Sequence, residues 1–215
     1  MTFSTMLSTM SAGMLRTCSI FALTLIGSLP MGLAVAQLRK SRFPVVRAFT
    51  RAFISLMRGT PLMLQLLAWY FGPYYLFGWS IRGWRFPALI IGFILNYAAY
   101  FAEIYRGGIE SIPVGQYEAA EVLGYTKAQT FNRIILPQVI KRILPSVTNE
   151  VITLVKDTSL AFTLAYQEVF SLAKQISASQ TSFMPFIIAG VFYFLANYLV
   201  EFVMGRIEKA LDYYR

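Results

Sequence analysis

The order of apolar and charged positions along the chain predicts its elements. Four stretches carry no Asp, Glu, Lys or Arg: Thr17 to Leu38, Gly59 to Ile81, Phe86 to Ala102 and Gln175 to Val200. Each is as long as the about 17–25 residues that a helix needs to cross a hydrocarbon core of about 30 Å. A fifth stretch, Ile143 to Gln167, is apolar enough to cross but carries Glu150, Lys156 and Asp157. The pattern predicts an all-α, multi-span transmembrane bundle. It forms a single domain, 1–215, with five spans near 17–38, 59–81, 86–102, 143–167 and 178–200.

The distribution of charge sets the expected threading. Fourteen of the 19 basic residues fall on one side of this arrangement, in the first and third connections and the C-terminal tail, which ends with Arg206, Lys209 and Arg215. Loops rich in Lys and Arg stay in the cytoplasm. The N-terminus is therefore expected outside and the C-terminus inside. Met1 to Gly13 is expected to lie along the outer surface. The N-terminal region lacks a basic n-region and its apolar run is too long for a cleavable signal, so it reads as a retained span. In the first connection, Arg47, Arg51 and Arg58 share one helical stripe and Phe49, Phe53 and Met57 another, as in a helix lying at the interface. Arg58-Gly59-Thr60-Pro61 breaks that helix, with Thr60 as the expected N-cap of the next and Pro61 at its first position.

Composition narrows the chemistry. The chain is 57% hydrophobic and only 13% charged, against about 25% charged in a soluble domain. It has no His and a single cysteine, Cys18, expected as a small buried hydrophobe. His-based acid–base catalysis, an intrachain disulfide and a Cys/His metal site are excluded. The net charge of +9 would suit nucleic acid, but in so apolar a chain the positive-inside bias explains it more simply, and no nucleic-acid partner is expected. An intramembrane enzyme lacks a nucleophile–base pair and a H-E-x-x-H metal motif.

The third connection, near 107–138, reads as two short helices. Glu118-Ala119-Ala120-Glu121-Val122-Leu123 is helical, Gly124 supplies the left-handed residue that ends it, and Thr126-Lys127-Ala128-Gln129 is a capping box that starts the next. Pro137 is expected to limit that second helix. Small Ala residues flanked by Glu and closed by Gly make a short helix that the groove of another protein can approach closely.

The spacing Glu118-Ala119-Ala120, Gly124, Ile134, Leu136-Pro137 resembles the EAA loop of ATP-binding-cassette importer permeases of type I. Four further motifs are similar to the polar amino acid uptake family within that group. They are Arg58-Gly59-Thr60-Pro61-Leu62, Ile112-Pro113 with Gly115-Gln116, Leu136-Pro137-Gln138, and Lys156-Asp157-Thr158-Ser159-Leu160, and the likeness runs from about residue 14 to the C-terminus. The resemblance implies a permease subunit of the bacterial inner membrane. It also implies a second permease chain, identical or paralogous, an ATPase subunit that carries ATP and Mg, and an extracytoplasmic solute-binding protein. In that setting Glu118, Ala119, Ala120, Glu121 and Gly124 are the coupling positions. No G-x-x-x-x-G-K-[ST] phosphate loop occurs in the chain, so ATP hydrolysis by that motif belongs to a separate polypeptide.

Ionisable residues inside a span are costly, at about 2.5–3.5 kcal/mol even on lenient scales, and so are candidate functional groups. Ser146, Glu150, Thr153 and Asp157 recur at intervals of four, three and four and share one helix face. Such a face would line a path for a cationic or zwitterionic amino acid, with Glu150 as the partner of its ammonium or guanidinium group. Asn149 and Lys156 flank it, and Thr158 and Ser159 add hydroxyls. The alternative is that these groups satisfy one another across helices, with Lys156 and Asp157 as a structural ion pair. Gln65, Asn96 and Asn197 read as packing residues, as do Tyr97, Tyr100 and the aromatic fifth span. A second functional reading, an ion-coupled secondary transporter, would make Glu150 and Asp157 ion sites.

Overall fold

The structure, a computed structural model, describes residues 2–211 and is helical almost throughout; Met1 and Arg215 lie outside the described residues. In chain order the elements are α1 (Phe3–Arg39), α2 (Pro44–Gly59), α3 (Leu62–Phe77), α4 (Arg85–Glu110), α5 (Val114–Val122) and α6 (Lys127–Gln129). A π turn (Thr130–Ile135), α7 (Leu136–Asp157), a 3₁₀ turn (Thr158–Leu164), α8 (Val169–Gln180) and α9 (Met184–Leu211) complete the order. Among the described residues, α1, α4 and α9 are long and apolar enough to cross a membrane. The expected second and fourth spans correspond to α3, only 16 residues long, and to the charged α7.

Helix α4 is the centre of the bundle, with α1, α2, α3 and α7 packed against it. Its buried stripe includes Leu89, Phe93, Asn96, Tyr97 and Phe101. On α1 the buried positions recur every three or four residues and are mostly small: Gly13, Thr17, Thr24, Ser28, Gly32. Small side chains let two helix backbones approach closely where lipid offers no hydrophobic drive for association. At Gly32 a Cβ would stand 2.8 Å from the Cβ of Phe101 and 3.2 Å from the carbonyl oxygen of Ala98. No residue larger than glycine fits there without moving α1 off α4.

Several expectations are corrected. Helix α1 begins at Phe3, well ahead of the first expected span, and runs into it without a break, with Met6 and Met10 buried against Val169, Ile188 and their neighbours. Cys18 is exposed, not buried. The stretch expected as one apolar run from Gln175 is divided between α8 and α9, with Thr181 in the left-handed region at φ 47°. Glu168, outside the expected spans, is the N-cap of α8. Fully buried, its carboxylate accepts the N–H groups of Phe170 and Ser171 and the hydroxyl of Tyr193 on α9.

At the break after α2, Thr60 does not cap α3. Its hydroxyl donates to the carbonyl of Leu56, and Pro61 takes the N-cap position. Gln65 and Asn96 secure the break. Both side-chain amides donate to the Met57 carbonyl at 2.9 Å, and Asn96 also donates to the Gln65 side-chain oxygen at 3.0 Å. These two residues act in packing, as the sequence led us to expect, by satisfying backbone groups that the break releases.

Pro137 does not end the second cytoplasmic helix. Lys127 to Asp157 is one continuous helical rod, with Pro145 inside it as well. Within a regular α-helix Pro137 would clash with the carbonyl four residues back. The π turn just before it, where the Leu136 N–H donates to the Phe131 carbonyl, widens the backbone at that point and lets the rod continue.

Candidate functional site

Two groups of residues carry the candidate chemistry, one at each end of this rod. The first is a helical hairpin. Helix α5 starts after Pro113 and ends in a Schellman motif: the Tyr125 N–H donates to the Ala120 carbonyl at 3.0 Å and the Gly124 N–H to the Glu121 carbonyl at 2.9 Å. Gly124 occupies the left-handed region at φ 77°, the role expected of it. The capping box is also present, with the Thr126 hydroxyl accepting from the Gln129 N–H and the Gln129 side chain accepting from the Thr126 N–H. Glu118, Ala119, Glu121 and Gly124 are exposed on the hairpin. Ala120 is not: at 1% exposure it faces the interior of the hairpin and is a packing position.

Sequence reasoning missed the apolar tip beside these residues, where Val122 is 88% and Leu123 72% exposed. The hairpin is fastened to α7. Gln138 donates to Gln116 on α5 at 3.4 Å, and just ahead of the hairpin Arg142 donates to the carbonyl of Ser111, the residue that ends α4. Ile112 inserts among Ile135 and Val139 beneath it. The hairpin thus meets α7 through Gln116 as well as along the chain.

The second group is the polar face of α7. Ser146, Asn149, Thr153 and Lys156 are exposed, and Glu150 and Asp157 are half-buried at the edge of that face. The predicted alignment is thus present, and Glu150 lies in the electrostatic field of Arg58 and Asp157. Asp157 makes a bond that the sequence did not reveal: its Oδ2 accepts the hydroxyl of Tyr97 on α4 at 2.8 Å. Lys156 and Asp157 do not form the alternative ion pair. Consecutive residues point about 100° apart around a helix, and Tyr97 rather than Lys156 holds the carboxylate.

Thr158 and Ser159 leave the stripe. Thr158 is fully buried and donates to the Val155 carbonyl at 2.6 Å, while Ser159 donates to the Lys156 carbonyl at 2.8 Å. Both hydroxyls serve the last turn of α7 as it tightens into the 3₁₀ segment. Tyr97 is buried at 2% exposure and Tyr100 lies under the Arg58 guanidinium, 5.3 Å from the ring centre. Three of the six aromatic residues of α9 are exposed, Phe194 at 69%, Tyr198 at 62% and Phe202 at 52%, while Phe186, Phe192 and Tyr193 pack inward.

Comparison with known proteins places this geometry in context. The chain is 36% identical over 200 residues to the putative glutamine transport system permease protein GlnP of Rickettsia bellii (strain RML369-C), covering 93% of this chain and 91% of that protein. It is 35% identical over 208 residues to the L-cystine transport system permease protein TcyB of Bacillus subtilis (strain 168), covering 95% and 87%. Its fold superposes on the crystal structure of an amino acid ABC transporter with histidines. That likeness has a TM-score of 0.87 at 30% identity and covers 98% of this chain and 99% of that one. Residues 28–213 match the family described as the inner membrane component of binding-protein-dependent transport systems. A rod joining an exposed hairpin to a polar face lies on a bundle with the fold of an ABC importer permease subunit, and the chain belongs to that family.

Proposed function

We propose that this permease carries polar amino acids across the bacterial inner membrane. In this reading it has five crossings, an external N-terminus and a cytoplasmic C-terminus. Two permease chains, identical or paralogous, form the pathway, and their exposed apolar faces meet each other and lipid. A solute-binding protein delivers the amino acid, and a separate ATPase subunit that carries ATP and Mg docks on Glu118, Ala119, Glu121 and Gly124. The names of the relatives, which are permeases for glutamine and for L-cystine, support the substrate class.

The observation that carries the mechanism is the continuous rod from the capping box to Asp157. Closure of the ATPase pair displaces the hairpin. The unbroken helix from Lys127 and the Gln116–Gln138 bond pass that displacement to the rod. The rod then shifts the face bearing Ser146, Asn149, Glu150 and Thr153, which changes the side on which solute can be reached. Glu150 meets the ammonium or guanidinium group of the solute, Lys156 serves its carboxylate, and Asp157 is held ready by Tyr97. No bond of the solute is broken.

Gly124→Pro tests the coupling. Proline cannot adopt a positive φ and has no N–H to give to Glu121. The variant is expected to insert normally and to lose solute-stimulated ATP hydrolysis in proteoliposomes. Stimulated hydrolysis at the normal level would refute docking through this hairpin.

A further inference from the structure

Away from the hairpin and the stripe, an apolar cleft of about 380 Å³ opens between α1, α4 and α7. Leu33, Ala36, Ile109, Val139, Ile140 and Ile143 line it, together with Lys40 and Arg106. A second hollow, of about 270 Å³, shares Lys40 and Arg106 and adds Arg39, Arg51 and Glu110. The two hollows make one amphipathic site, apolar along its length and basic at its mouth.

The basic end is not neutralised from within. Glu103 pairs with Arg39 at 2.7 Å and with Arg106 at 2.8 Å, and Arg106 also meets Glu110. Lys40 and Arg51 have no carboxylate partner among the described residues. The apolar end merges with side chains left open on the outside of the bundle: Leu33 is 50% and Ile140 39% exposed. A polar amino acid would find no partner in such a slot. A molecule with an acyl chain and an anionic head would satisfy both ends, and basic pockets between spans on the cytoplasmic side suit such headgroups.

We propose that this cleft is a binding site for one anionic phospholipid, its acyl chain against Ile109, Ile140 and Ile143 and its phosphate between Lys40 and Arg51. The test uses the full chain, purified with its ATPase in a non-ionic detergent and exposed to phosphatidylglycerol or phosphatidylethanolamine. Retained lipid is then counted by native mass spectrometry. The wild type is expected to keep phosphatidylglycerol in preference. The double variant Lys40→Gln/Arg51→Gln should lose that retention about tenfold or more, with an unchanged melting temperature because both side chains are exposed. Arg42→Gln/Arg47→Gln, which removes the same charge from the neighbouring segment outside the cleft, should leave retention intact. Equal losses from the two pairs would reduce the effect to diffuse surface attraction and overturn the site. So would displacement of the lipid by glycerol phosphate at equal concentration, which would indicate a soluble phosphate, or wild-type chain that keeps neither lipid.

Discussion

Tyr97 and Glu150 show how differently two polar groups in one bundle can be used. The Tyr97 hydroxyl has a single partner, Asp157, and removing it leaves a half-buried carboxylate without its donor. A hydrogen bond to a charged group contributes about 1.5–3 kcal/mol. Tyr97→Phe should therefore lower stability by about 1.5–3 kcal/mol, measured as thermal unfolding in detergent, while Asp157→Asn, which can still accept the bond, should cost less than about 1 kcal/mol. Equal stability of the tyrosine and phenylalanine proteins would show that the bond contributes nothing. Glu150 has no such fixed partner among the described residues and shares a face with exposed Ser146 and Thr153. Glu150→Gln should leave the melting temperature close to wild type and reduce uptake of a cationic amino acid by about tenfold, the effect of one lost charge-assisted bond. Unchanged affinity and selectivity in an uptake screen would make the whole stripe structural.

Among the elements, the hairpin was the most legible from sequence, because caps and turns are local. Gly124, the capping box and the end of α5 all follow from residues within a few positions of each other, and the structure has each of them. The fate of Pro137 was not legible in that way. A proline normally limits a helix, and only the π turn ahead of it, a departure with no sequence signature of its own, lets the rod continue. The Tyr97–Asp157 bond and the buried Glu168 were hidden for another reason, since each joins residues 60 or 25 positions apart. The division between α8 and α9 was hidden by composition: Thr181, Ser182 and Phe183 carry no charge, so the apolar run reads straight through. The tie from the end of α4, just ahead of the hairpin, to the rod is also long-range, and it can be tested. Arg142→Ala removes the bond to the Ser111 carbonyl, and it should lower solute-stimulated ATP hydrolysis several-fold while basal hydrolysis stays near wild type. If both rates fall together, Arg142 supports assembly rather than transmission.

For the molecule as a whole, α4 is the fixed post and α1 the element laid against it through small residues. Gly32→Leu drives a branched side chain into Phe101 and the Ala98 carbonyl, an overpacking that costs about 1–3 kcal/mol or more. The variant should lower the unfolding temperature and the yield of assembled complex; a wild-type melting curve would show that α1 is free to shift. The rod has a consequence of a different sort. The hairpin fixes the angular position of residue 126 about the rod axis, and each residue added or removed beyond it turns everything downstream by about 100°. Glu150 faces the polar side only because the number of residues between it and Thr126 is what it is, the π turn included. Side chains along that interval can change freely so long as they pack, but its length cannot change by even one residue. Related chains of this family should therefore vary in composition between the hairpin and the stripe while tolerating no insertion or deletion there, unlike the connections on either side.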